Sequence, residues 1–219
     1  MSGRWEFPAG SGLALLRAAG AAPPRGGRGA LLDRDGTLNE GVADPETGLA
    51  ESPLAAPDVR LLPHVADSLG RLETAGYALV CVTNQPAAAK GKTTVEELLA
   101  VHERVLALLA ADGLTIALSL LCLHHPEGVV AGLAGACECR KPAPGMLRRA
   151  AAMLALDLAR SWMIGDTDGD VLAGNAAGCG TALLEYPPSE HKRTGIGEPQ
   201  IRADGLAGAV ELILDRDSA

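Results

Sequence analysis

The chain has 219 residues, of which 47% are hydrophobic and only 2% aromatic, and it carries a formal net charge of -8. That length accommodates one generous domain with a sizeable core, and Ala, Leu and Val must build it. The negative charge and a pI near 5.1 exclude a general nucleic-acid or anionic-membrane binder. So few rings also exclude base stacking as a mode of recognition.

Residues 1–28 are rich in Gly, Ala and Pro and end in Pro23-Pro24-Arg25-Gly26-Gly27-Arg28. They read as a flexible N-terminal extension, with a short helix over Leu13 to Ala19. Arg17 interrupts the apolar patch there, so no signal peptide is expected. The first strand runs from about Ala30 to Asp33. Residues 39–60 hold five acids and three prolines without a period, a loop long enough to suggest function. A helix from about Val65 to Ala75 closes on Gly76. Tyr77 to Thr83 is a continuous apolar run, the signature of a strand buried on both faces. Thr93 or Thr94 caps the next helix, which has Glu96 and Glu97 in its first turn and ends near Ala111 before Gly113.

Ile116 to Leu121 is a third strand. The longest uncharged apolar run, residues 113–123, is too short to cross a bilayer. A helix from about Pro144 to Leu156, a strand Trp162 to Ile164, a helix Asp170 to Ala177 and a strand Thr181 to Leu184 follow. Residues 186–204 read as loop, and Leu206 to Leu214 as a closing helix. Strand and helix alternate, and the strands are buried. The implied fold class is α/β, a doubly wound parallel sheet of about five core strands with helices on both faces. In such sheets ligands bind beyond the C-terminal ends of the strands.

Leu31-Leu32-Asp33-Arg34-Asp35-Gly36-Thr37-Leu38 places two carboxylates two residues apart at one such end. Alternation in an extended chain turns Asp33 and Asp35 to the same side. Taken alone, the segment reads first as a strand followed by an ordinary Asp-Gly turn. Polar groups also close the next two strands: Thr83 and Asn84 on one, Asp166 on the other. Asp33, Asp35 and Asp166 together suit a hard cation such as Mg²⁺. Lys141 offers an ammonium for a phosphate or a carboxylate, and Thr83 and Asn84 offer donors to phosphate oxygens. Carboxylate, cation, lysine and hydroxyl describe a phosphoryl-transfer site.

The chain resembles the haloacid dehalogenase (HAD) superfamily of phosphatases. Asp33-x-Asp35-Gly36-Thr37-Leu38 matches the first motif, Thr83-Asn84 the second, Lys141 the third and Gly165-Asp166-x-x-x-Asp170 the fourth, in order from about residue 29 to 185. The resemblance implies a Rossmann-like domain over 29–219 with no large cap domain. A narrower resemblance, to D,D-heptose 1,7-bisphosphate and histidinol-phosphate phosphatases, lies in Cys122-Leu123-His124 followed by Cys137-Glu138-Cys139-Arg140-Lys141-Pro142.

Five cysteines are an odd number, and crowding three of them into this segment points to metal rather than a disulfide framework. Three thiolates and an imidazole make a closed, structural Zn²⁺ site, here a zinc loop over 122–140. His125 is the rival imidazole, and the family pattern favours His124. The resemblance implies Asp33 as nucleophile and Asp35 as acid and base. Mg²⁺ would sit on Asp33, the Asp35 carbonyl and Asp166; Thr83, Asn84 and Lys141 would bind phosphate. Arg140 would contact the distal phosphate or substrate body, and Asp170 would orient Lys141. Asp168 reads as a solvated helix cap, and His64, His102 and His191 as surface or helix-terminal groups. Cys81 and Cys179 read as buried small residues.

After Gln85 the family's Ser-Gly-Ile-Ala-Arg-Gly is replaced by Pro86-Ala87-Ala88-Ala89-Lys90-Gly91, a departure that touches the substrate rather than the chemistry. The expected function is Mg²⁺-dependent hydrolysis of the 7-phosphate of a heptose 1,7-bisphosphate by a cytoplasmic monomer with no nucleic-acid or membrane partner. Histidinol-phosphate phosphatase is the alternative, followed by a nucleic-acid 3′-phosphatase and by an inactive binding module.

Overall fold

The computed structural model describes residues 4–8, 11–20, 27–45 and 47–217. The Pro23–Gly26 part of the expected N-terminal extension lies outside them. Among the described residues, seven strands form the main sheet, in the order β1-β6-β5-β2-β7-β8-β9. Its members are β1 (Leu13–Arg17), β2 (Gly29–Leu32), β5 (Ala78–Asn84), β6 (Leu118–Cys122), β7 (Trp162–Gly165), β8 (Gly180–Leu184) and β9 (Ile201–Ala203). All neighbours run parallel except β1 against β6. A small hairpin, β3 (Val42–Ala43) with β4 (Ala50–Glu51), stands apart in the long loop after β2. No inserted cap domain is present among the described residues, and no helix is long and apolar enough to cross a membrane.

Among the described residues, five α-helices cover the sheet: α1 (Val65–Thr74), α2 (Val95–Ala111), α3 (Gly145–Leu154), α4 (Asp168–Ala177) and α5 (Leu206–Asp217). Successive strand residues face opposite layers. Leu31, Val80, Val82 and Met163 pack with Met146, Leu147 and Ala150 of α3 and Ala173 of α4. Leu32, Leu79, Cys81 and Ile164 pack with α1, α2 and α5 through Leu69, Val105 and Val210. Sandwiched between two helical layers, the central strands have no polar face, which is why they read as unbroken apolar runs.

Three expectations are corrected. Leu13 to Ala19 is a strand, not a helix: Leu13–Arg17 pairs with β6, from Leu13 beside Cys122 to Arg17 beside Leu118. Without it the β6 edge would expose unpaired backbone groups. Leu13 and Leu15 then enter one core and Ala14 the other. Residues 186–204 contain β9 and a six-residue 3-10 turn at Pro187–Lys192 rather than loop alone. His102 is fully buried, with Nε2 at 2.8 Å from Ser119 Oγ and its ring edge-on to Trp5. Its place on the buried stripe of α2, beside Val101 and Val105, overrides its polarity.

Candidate active site

The sheet order puts β2 at the centre, with β5 on one side and β7 on the other. Three adjacent strands therefore deliver their C-terminal residues to one crevice. Asp33 follows β2, and its N–H donates to the Ile164 carbonyl at 2.9 Å. Thr83 and Asn84 end β5, Asp166 follows β7, and Asp170 lies in the first turn of α4. Two glycines let these groups approach. Gly36 sits at φ +80°, where an added Cβ would collide with the Asp166 carboxylate, and a Cβ on Gly165 would collide with Asp170.

Lys141 is buried between the carboxylates. Its Nζ lies 2.8 Å from Asp33 Oδ1 and 2.6 Å from Asp170 Oδ1, and it donates to the Val82 carbonyl at 2.8 Å. Burial works against its charge, but Asp170 and Asp33 outweigh burial and raise its pKa. The Asn84 side chain accepts from the Lys141 N–H at 3.1 Å and donates to the Lys141 carbonyl at 3.0 Å. It thus holds the lysine's peptide rather than facing the crevice. Asp170 Oδ2 accepts from the Thr167 N–H and hydroxyl, so Asp170 both starts α4 and pairs with Lys141.

Asp33, Asp166 and Asp170 bring carboxylate oxygens within 4.8 Å of one another, with Lys141 as their cation. This imbalance appears in the titration of the acids. Burial pushes Asp33 up to about 6, although Lys141 draws it back. Burial and then the charges of Asp33 and Asp170 push Asp166 up to about 8. Asp166 Oδ1 is buried without a hydrogen-bond partner. The cluster is short of positive charge and has an acceptor to spare, which fits a hard dication with oxygen ligands such as Mg²⁺.

Asp35 turns away from this cluster. Its carboxylate is bound by Arg34, Asn39, Gln85 and Ser52. Burial acts to raise its pKa, but the Arg34 guanidinium and the hydrogen bonds outweigh it and hold the acid below its usual range. Thr83 is buried, and its Oγ1 accepts from Gln85 Nε2 at 3.0 Å.

The second cluster is sulfur-rich. Cys122, at the end of β6, and Cys139 have Sγ atoms 3.2 Å apart; Cys139 and Cys137 are 3.3 Å apart, and Cys122 and Cys137 3.7 Å. His124 Nδ1 lies 3.4 Å from the Cys139 sulfur and 3.9 Å from that of Cys122. A tetrahedral Zn²⁺ with Zn–S near 2.3 Å spaces its sulfurs by about 3.8 Å; the donor set suits zinc, with one sulfur pair near that spacing and two closer. His125 is not part of it: it is half-buried and its Nδ1 accepts from the Glu127 N–H. Arg140 donates to the His124 carbonyl at 3.3 Å, tying the loop to the approach to Lys141.

Asp168 is not the solvated cap expected of it. It is buried, and its Oδ2 accepts from the Thr194 N–H and hydroxyl and from the Gly195 N–H. It fastens the segment after β8 beside the crevice, and the four groups could only be brought together by tertiary structure. Tyr186 was also missed. Its ring borders Gly36 and its hydroxyl accepts from the Gly41 N–H at 3.3 Å, so it joins the loops after β8 and β2.

The comparisons with known proteins meet this geometry. A HAD-hydrolase-like family model matches residues 138–208. The D-glycero-beta-D-manno-heptose-1,7-bisphosphate 7-phosphatase of Yersinia pestis is 39% identical over 154 residues, 70% of this chain and 78% of the relative. The chain belongs to this phosphatase family. The same-named enzyme of Rhodopseudomonas palustris is 37% identical over 149 residues, covering 68% of this chain and 78% of the relative. The structure of D,D-heptose 1,7-bisphosphate phosphatase from B. bronchiseptica, complexed with magnesium and phosphate, superposes with a TM-score of 0.70. It is 29% identical and covers 86% of this chain and 99% of that one. The α/β sheet with its crevice at Asp33 is thus the fold of a HAD phosphatase.

Proposed function

We propose that the chain is a Mg²⁺-dependent phosphatase that releases the 7-phosphate of D-glycero-beta-D-manno-heptose 1,7-bisphosphate through an aspartyl-phosphate. The observation that carries this reading is the meeting of Asp33, Asp166 and Asp170 around Lys141 at three strand ends, in a chain whose relatives bear that name. Asp33 and Asp166, with the Asp35 carbonyl, would hold Mg²⁺. When bound, the ion neutralises charge on the transferring phosphoryl group.

The side chains divide the work. Lys141 holds Asp33 Oδ1 and places its positive charge beside the incoming phosphate. An Asp33 oxygen attacks phosphorus, the bond to the sugar's 7-oxygen breaks, and Asp35, which must first take up a proton against the pull of Arg34, gives that proton to the oxygen. Water then attacks the aspartyl-phosphate while Asp35 recovers its proton, and inorganic phosphate leaves with Asp33 restored. Thr83 and the Asn84 backbone serve the phosphoryl oxygens, and Arg140 meets the distal phosphate or the sugar. The zinc loop of Cys122, His124, Cys137 and Cys139 holds Arg140 and Lys141 in place.

Phosphate release from the α and β anomers of the heptose bisphosphate, with histidinol phosphate as control, tests the substrate. Faster turnover of histidinol phosphate would overturn it. Asp33→Asn should reduce turnover to background while circular dichroism and the melting temperature stay close to wild type. Retained activity would remove Asp33 from the nucleophile's role.

A further inference from the structure

Arg34 lies between the two motif carboxylates and is fully buried. Strand alternation would send its side chain away from Asp35, yet β2 ends at Leu32 and the guanidinium curls back. Arg34 Nε and Nη2 donate to Asp35 Oδ1 at 3.2 and 3.1 Å, and Nη2 also reaches Oδ2 at 3.0 Å. Gln85 closes the ring: its Oε1 accepts from Arg34 Nη2 at 2.8 Å and its Nε2 donates to Asp35 Oδ2 at 2.7 Å. Asn39 Nδ2 adds a bond to Oδ1 at 2.9 Å and Ser52 Oγ one to Oδ2 at 2.8 Å. Both carboxylate oxygens are held from several directions, so the plane of the group is set.

Stability does not account for this arrangement. A buried ion pair roughly cancels against the desolvation of its two charges, and an apolar residue of similar size is often as stabilising. Arg34 Nη1 is moreover buried without a hydrogen-bond partner, a further cost. What a planar, charged fork does supply is orientation. We infer that Arg34, braced by Gln85, is a positioning residue that fixes the orientation of the Asp35 carboxylate, the acid proposed for the sugar's leaving oxygen. The inference rests on the phosphatase reading above.

The leaving group provides the test. A sugar alkoxide must be protonated as it departs, whereas 4-nitrophenolate departs without a proton. Misplacing the acid therefore harms cleavage of the sugar ester far more than that of the aryl ester. Arg34→Met, Arg34→Lys and Gln85→Met would be compared with wild type, with Mg²⁺ present, by kcat/KM on the heptose bisphosphate and on 4-nitrophenyl phosphate.

Arg34→Met should lose about 10²-fold on the sugar phosphate, the scale of a lost general acid, and much less on the aryl phosphate. Arg34→Lys should recover part of the difference, and Gln85→Met should show the same selectivity in weaker form. Equal losses on the two esters, or none, would overturn the role of Arg34. Should Arg34→Met fail to fold, the selectivity of Gln85→Met decides in the same way. A wild type inactive on both esters would overturn the phosphatase reading itself.

Discussion

Asp33 and Asp35 stand two residues apart and have different surroundings, and the surroundings set their tasks. Asp33 sits among acids with Lys141 beside it, whereas Asp35 is gripped by Arg34 and neutral donors. The raised acids make a prediction about pH. Asp33, at about 6, and Asp166, at about 8, hold protons more tightly in the fold than at their ordinary value of 3.8. Folding therefore takes up protons across that interval, and metal-free protein should lose stability as pH rises from about 4 to 8. Asp35, depressed below 3.8, works in the opposite sense and only at more acid pH. Mg²⁺ favours the ionised acids, so its affinity should rise between pH 6 and 8 and its binding should release protons. Titration calorimetry in two buffers of different ionisation enthalpy measures that release. Affinity independent of pH would separate Asp33 and Asp166 from the metal.

The cysteine-rich loop is the element whose order owes least to its own backbone. Between Cys122 and the start of α3 at Gly145 it has no helix or strand, and exposed residues such as Val129 give it little core of its own. Four donor atoms bring its two ends together instead. Cys139→Ser should lower bound zinc well below one ion per chain. It should also speed proteolytic cleavage between residues 123 and 140, while far-UV circular dichroism of the sheet persists. Elemental analysis and limited proteolysis read the two effects. Full zinc content with unchanged proteolysis would exclude Cys139 as a ligand. Cysteine spacing made this loop legible in the sequence. The burial of His102 was not, because a polar residue on a helix declares its face only once the partner layer is known.

At the scale of the molecule, the N-terminal segment is part of the sheet. β1 covers the edge of β6, and the Leu123 N–H donates to the Gly12 carbonyl at 2.8 Å, so the strand's pairing continues to the foot of the cysteine-rich loop. Deleting residues 1–18 would expose that edge and remove two buried leucines, Leu13 and Leu15. At roughly 1.5–3 kcal/mol each, the leucines alone represent about 3–6 kcal/mol, a large share of the 5–15 kcal/mol typical of a domain. The truncated chain should unfold at markedly lower urea and associate through β6, as read by urea denaturation and size-exclusion chromatography. A truncated chain of wild-type stability would restore the segment to a dispensable extension.

The alternation of apolar strands and amphipathic helices determined the parallel sheet, because strands buried on both faces need helices to cover them. Motif spacing likewise marked Asp33, Thr83, Lys141 and Asp166, since each stands at or beside the end of a readable element. Tertiary structure decided what local periodicity cannot encode. It turned Leu13–Arg17 into a strand, because only the unpaired edge of β6 made that conformation favourable. It folded Arg34 back onto Asp35 against strand alternation, because Gln85, 51 residues away, completes the ring. It also buried Asp168 against Thr194 and Gly195. In each case the deciding partner is remote in sequence, and its hydrogen bonds exist only after the sheet has brought the strand ends together.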